Sequence, residues 1–141
     1  MEILVIDAQG GGIGRQLVSA VKKALPEAVV TAVGANSLAT SAMLKAGADR
    51  GATGENAVAV GCRRADVIAG PVGIVIADAL LGEITPAMAV AVGQSRAKKL
   101  LIPVNHCDNY IVGVGDLRLG PLIQEAVARL KALAEEGGGC P

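Results

Sequence analysis

The sequence predicts a doubly wound α/β domain, a mostly parallel sheet with helices on both faces and one antiparallel strand at its edge. Three observations point there. Short apolar runs alternate with stretches of helical spacing along the whole chain, the pattern of βαβ units. The core has to be built from Ala, Val, Ile and Leu, since the chain holds no Trp or Phe and one Tyr; small aliphatic residues suit helices packed closely on a parallel sheet. The first run, I-L-V-I-D from Ile3 to Asp7, breaks into the glycine cluster Gly10, Gly11, Gly12 and Gly14 before helical spacing begins.

Each element has its own local reason. Ile3 to Asp7 is a β-branched strand, and Arg15 to Leu25 is a helix with Leu17, Val18, Val21, Ala24 and Leu25 on one face. Pro26 breaks it, and Ala28 to Gly34 reads as a second buried strand. Ser37 caps a helix from Leu38 to Ala46 that Gly47 stops. Asp49 to Thr53 is a short third strand, Glu55 to Ala65 a helix, and Asp66 to Ala69 opens a fourth strand ending at G-P-V-G. Ile74 to Leu81 is apolar and reads as a helix broken at Gly82. Thr85 followed by Pro86 starts another helix, because Thr caps and Pro fits the first turn; it runs to about Ser95. Leu100 to Val104 is the fifth strand. N-H-C-D-N then leads to Tyr110 to Val114, a sixth. Five residues are too few for a crossover helix, so that strand is expected at an antiparallel edge. Leu119 to Glu136 closes as a long amphipathic helix. One domain, residues 1–136, is expected, with 137–141 a disordered tail.

Composition narrows the function. With 13 basic and 13 acidic residues, zero formal charge and no run of either sign, the electrostatic footprint of a nucleic-acid or membrane-surface binder is missing. The longest uncharged apolar stretch, Val67 to Ala77, is too short to cross a bilayer, and no basic region precedes an apolar segment, so a cytoplasmic protein is expected. Three widely spaced cysteines, Cys62, Cys107 and Cys140, form neither a disulfide framework nor a zinc pair, and no metal site is expected. Hydrophobic residues make up 52% of the chain and charged ones 18%, with a mean hydropathy of +0.51, so part of the apolar surface is expected between subunits. Pro86 to Val92 and most of Ile74 to Leu81 are apolar all round, which predicts a homo-oligomer through these two segments.

Ligands on doubly wound sheets sit at the C-terminal ends of the strands, where the strand order reverses. Those ends are Asp7 to Gly14, Gly34 to Ser37, Gly70 to Gly73 and Asn105 to Asp108. A glycine-rich turn ahead of a helix N-terminus lets backbone N–H groups approach a phosphate, so a nucleotide is expected. The residues expected to hold it are Gly10, Gly11, Gly12, Ile13, Gly14 and Arg15, then Gly34, Asn36 and Ser37, and Gly70, Pro71 and Gly73. A dinucleotide site that selects NAD carries an acid about twenty positions past the glycines. Here that place holds Gly34, Ala35, Asn36 and Ser37, and Arg15 could supply positive charge, so NADP(H) is expected over NAD(H); a mononucleotide is the open alternative. A homo-oligomeric structural or regulatory module with an empty loop is the competing class.

No catalytic residue is assigned. His106 and Cys107 are neighbours whose side chains point opposite ways in an extended segment, so they read as a polar turn rather than a catalytic pair. Cys62 reads as a small core residue. Asp78, inside I-V-I-A-D-A-L-L, needs a partner if buried and otherwise faces solvent.

The glycine loop D-A-Q-G-G-G-I-G resembles the T-G-x-x-x-G-I-G motif of short-chain dehydrogenases, with Gly12, Ile13 and Gly14 matching and Ala8 in place of the first glycine. In that family the loop after the fourth strand also borders the cofactor, which corresponds by position to Gly70 to Gly73. Its catalytic Tyr-x-x-x-Lys is absent, Tyr110 being followed four residues on by Val114, so that chemistry does not carry over. The same glycines resemble a deviant P-loop with Gly11, Gly12 and Gly14 in register. Arg15 and Gln16 replace its lysine and magnesium-binding hydroxyl, which argues against nucleotide hydrolysis. A methyltransferase-type acidic-x-G-x-G-x-G starts at Asp7 and breaks at Gln9 and Ile13. The chain as a whole resembles an uncharacterised bacterial domain-of-unknown-function family of small Rossmann-like proteins. The likeness rests on the Q-G-G-G-I-G loop, N-S-L-A-T-S-A-M-L-K-A-G-A from Asn36 to Ala48, G-A-T-G-E-N-A from Gly51 to Ala57 and L-G-E-I-T-P from Leu81 to Pro86. That resemblance implies the fold and no activity.

Overall fold

The computed structural model describes residues 1–104, 109–115 and 118–137. Five parallel strands run in the order β3-β2-β1-β4-β5: β1 Glu2–Asp7, β2 Val29–Gly34, β3 Arg50–Thr53, β4 Val67–Pro71 and β5 Lys98–Ile102. Winding starts at β1, goes outward through β2 to β3, then jumps back across β1 to β4 and β5, so the topological reversal lies between β1 and β4. The register pairs Asp7 with Gly34 on one side of β1 and Val5 with Ala69 on the other.

Helices α1 (Gly12–Ala24), α2 (Ser37–Lys45) and α5 (Leu119–Glu135) cover one face, and α3 (Glu55–Arg64) and α4 (Pro86–Gln94) the other. Alternate residues of the central strand feed the two cores. Ile3 and Val5 pack with Leu17, Val18 and Val21 of α1 and Ile123, Val127 and Leu130 of α5. Leu4 and Ile6 pack with Val58 and Cys62 of α3 and Met88 and Val92 of α4. Each such side chain, removed from water, contributes about 1.5–3 kcal/mol. β3 is a thin edge, all four of its residues exposed.

Three expectations need correction. Asn36, not Ser37, caps α2: its Oδ1 accepts from Ala39 N–H at 2.9 Å, while Ser37 is the first helical residue and exposed. Residues 74–81 are not an α-helix. A single 3-10 turn, Val72–Val75, gives way to a tight coil in which Asp78, Leu80, Leu81 and Gly82 all adopt positive φ. Ile74 and Leu80 point into the core, leaving Leu81 exposed; periodicity alone could not separate this short apolar run from a helix. The sixth strand is absent from the described residues: 110–114 hold a turn closed by Val114 N–H on the Ile111 carbonyl at 3.2 Å, with Gly113 at φ 87°. The sheet therefore ends at β5 with no antiparallel strand among the described residues. The expected tail lies outside them beyond Gly137.

The start of α4 is as expected, with Thr85 Oγ1 accepting from Met88 N–H at 3.1 Å and Pro86 in the first turn. This helix buries Met88, Ala89 and Val92 and leaves Ala87 and Val90 toward solvent.

Candidate functional site

The loop after β1 stands at the reversal point. Gln9 and Gly11 take left-handed backbone angles, φ 52° and 71°. Gly11 N–H donates to the Ala8 carbonyl at 3.0 Å, and Arg15 N–H donates to the Gly11 carbonyl at 2.8 Å to begin α1. A Cβ on Gly11 would lie 3.0 Å from Ala39 Cα and from its carbonyl oxygen, so this side of the turn is pressed against α2. Gly10 and Gly12 are exposed, and a Cβ on either would meet nothing within 4 Å.

Beneath the turn sits Asp7, a buried carboxylate at the end of β1. It accepts from Ala8 N–H at 2.8 Å and from Gly14 N–H at 2.7 Å, taking up part of the donor set that a helix N-terminus offers an anion. Burial pushes its pKa up, the N–H bonds from Gly14 and Ala8 pull it down, and the negative charge of Glu83 pushes it up again.

Glu83 comes from the coil between β4 and α4. Its carboxylate accepts from Gln9 N–H at 3.1 Å and from Asn36 Nδ2 at 2.7 Å. The same Asn36 Nδ2 lies 3.0 Å from the Gln9 carbonyl. The side chain of Glu83 thus ties together the loops after β1 and β2. The reading that no acid stands beside Asn36 holds along the chain and is overturned in space, because an acid arrives from 47 residues away.

The predicted residues divide into two groups. Gly10 and Gly12 form the open rim, with exposed Arg15 and Ser37 nearby in sequence. Gly14, Gly34 and Gly70 serve packing. A Cβ on Gly14 would lie 2.6 Å from Met43 Sδ and 2.8 Å from Asp7 Cβ; one on Gly34 would lie 2.6 Å from Thr40 N and Oγ1; one on Gly70 would run into the backbone oxygen of Ile6. Ile13, Pro71 and Gly73 are buried. Asn105, His106, Cys107 and Asp108 lie outside the described residues, as does Cys140.

Elsewhere, Cys62 is a core residue whose thiol burial pushes to about 11, well away from a thiolate. Asp78 is exposed, and its N–H donates to the Ile84 carbonyl at 2.7 Å. Glu55 in the first turn of α3 accepts from Thr85 Oγ1 at 2.6 Å. Among the described residues no three His, Cys, Asp or Glu side chains gather as a metal site, and no helix is long and apolar enough to cross a membrane. In the sequence Asp7 is visible as a carboxylate directly before a glycine turn and Glu83 as a polar residue interrupting an apolar stretch, but no spacing predicts that Glu83 meets Gln9 and Asn36.

Strand order, layers and the loop at the reversal point define a Rossmann-like α/β domain. The chain belongs to the family described as Domain of unknown function (DUF3842), whose model matches residues 2–135. No curated protein matches it in sequence. Among solved structures it is similar to a dodecameric FMN-dependent Ubix-like decarboxylase from Escherichia coli O157:H7. Sequence identity is 16%, the match covers 100% of this chain and 96% of that one, and the TM-score is 0.43.

Proposed function

We propose that this protein binds a nucleotide, in its fuller form a dinucleotide, with phosphate against the open rim of the β1–α1 turn. The observation that supports it is the state of Gly10 and Gly12. Both are exposed beside the first turn of α1, both leave room for a group to approach the backbone, and among the described residues their N–H groups meet no acceptor. The expected preference for NADP(H) rested on the missing acid. With Glu83 held against Asn36, a 2′-phosphate would meet a carboxylate, whereas free ribose hydroxyls would meet an acceptor, so the preference turns toward NAD(H).

A second reading is favoured by a specific observation. Asp7 and Glu83 already satisfy the N–H groups of Ala8, Gly14 and Gln9, as a loop with no ligand would require, which suits a homo-oligomeric module without nucleotide. Calorimetric titration with NAD⁺, NADP⁺, ATP and flavin mononucleotide separates the two. Binding of NAD⁺ more tightly than NADP⁺ is the expected result. Binding of ATP or flavin alone replaces the dinucleotide, and no heat from any of the four, with no rise in Tm, leaves the second reading standing.

A further inference from the structure

The far edge of the sheet carries two unsatisfied features side by side. One is a protrusion. In the turn at 111–114, Val112 is 97% exposed and Tyr110 just before it 90%, two of the most exposed large apolar residues described. The other is a groove of about 610 Å³ between β5 and α5, lined by Leu100, Leu101, Pro103, Val114, Leu122 and Ala126 among others. No further strand covers β5 among the described residues. Val114, two residues from Val112, belongs to the groove wall, so the knob adjoins the groove.

The charges in the groove are balanced. Glu125 and Arg129, one turn apart on α5, both line it, and neither is in an ion pair among the described residues. An acidic or a basic partner would leave one of them unmatched. A second copy of this chain related by a two-fold axis matches both, because an isologous contact sets each group against its opposite on the other copy. The same axis, passing between adjacent knob and groove, puts each knob into the other copy's groove.

We propose that this face is a homodimer interface, with Tyr110 and Val112 of each copy seated in the β5–α5 groove of the other and Glu125 facing Arg129 of the partner subunit. It is independent of the nucleotide reading and lies on a different surface from α4.

The test uses the full chain and its own probe, since Tyr110 is the only aromatic residue. Sedimentation equilibrium should show a dimer at micromolar concentration, and quenching of tyrosine fluorescence by iodide should fall as the dimer forms. Val112→Asp, its fold checked by far-UV circular dichroism, should give a monomer with freely quenched tyrosine. Glu125→Arg and Arg129→Glu should each weaken association roughly tenfold, and the double exchange should restore it. Val90→Lys on α4 should leave the dimer intact. A monomer at all accessible concentrations overturns the proposal, as does a dimer whose tyrosine stays fully quenched, a Val112→Asp dimer of unchanged strength, or loss of the dimer in Val90→Lys.

Discussion

Gly12 and Gly14 stand two residues apart in one motif and do opposite things. Gly14 faces inward, where the space of its missing Cβ is taken by Asp7 and Met43; Gly12 faces outward into open space. The inner half of the turn, with Asp7, Gly11 and Gly14, makes close contact between strand, turn and helices. The outer half, Gly10 and Gly12, is the part a ligand can reach. A glycine cluster therefore mixes two requirements in one stretch of letters, and only the surroundings of each Cα assign them.

The largest effects should come from filling the packed glycines, Gly70 on β4 and Gly14 in the turn. Gly70→Ala pushes a methyl group against the backbone oxygen of Ile6 in the neighbouring strand, which no side-chain rotation relieves, and should cost about 3 kcal/mol in urea unfolding. Gly14→Ala should cost less. Met43 Sδ can swing aside while Asp7 Cβ cannot, so overpacking of about 2–3 kcal/mol is offset by roughly 1 kcal/mol of helix propensity, leaving about 1–2. A neutral Gly70→Ala would mean these glycines are not there for packing.

Asp7 sharpens the same contrast through pH. Its carboxyl is raised above 3.8 chiefly by burial, so the folded state holds the proton more tightly than the unfolded one. The stability this contributes is fully present below the unfolded value and is lost as pH rises through the folded one. Asp49 runs the other way. Bonded by Val30 N–H and Lys22, it is lowered from 3.8, and its contribution is present above that value and lost as pH falls through the folded one. Asp7→Asn keeps one acceptor and turns a donor toward a buried N–H, a cost of about 1–3 kcal/mol. Because the parent alone carries the charge-burial penalty, that deficit should shrink in denaturant unfolding as pH is raised through the folded value. A deficit that grows with pH would mean that the N–H bonds outweigh burial and hold Asp7 ionised.

How far the sequence could be read follows from the range of the interactions. β1, the glycine turn, α1 and β2 were legible because local chemistry made them: β-branched runs, a proline break, helical spacing of Leu17, Val18 and Val21. The segment after β4 was not. Ile74 and Leu80 are apolar because they plug the core from a coil, and an apolar run of that length looks alike as coil or helix. Tyr110 to Val114 has the β-branched composition of a strand and closes as a turn around Gly113. For the candidate site, the rim glycines could be found from spacing, but the residue that changes the expected ligand, Glu83, acts across 74 positions on Gln9, which no local pattern records.

The smallest expected effect on the fold belongs to the rim, and there it is paired with the largest expected effect on the ligand. Gly12→Val adds its side chain to the first turn of α1, where the position of a Cβ is free, so the unfolding free energy should move by no more than about 0.5 kcal/mol. The same branched side chain would stand where a phosphate has to approach the Gly12 N–H. In the parent, NAD⁺ at a hundred times its Kd should add about 2.7 kcal/mol of stability, and in Gly12→Val that increment should vanish. Glu83→Gln supplies the complementary reading, since the amide keeps an oxygen for Gln9 N–H while removing the charge beside Asn36. NADP⁺ should then gain on NAD⁺. Thermal unfolding of parent and both variants, with and without each nucleotide, checks this. If Gly12→Val is stabilised as much as the parent, the rim does not touch the ligand, and the open glycines have no more function than the buried ones.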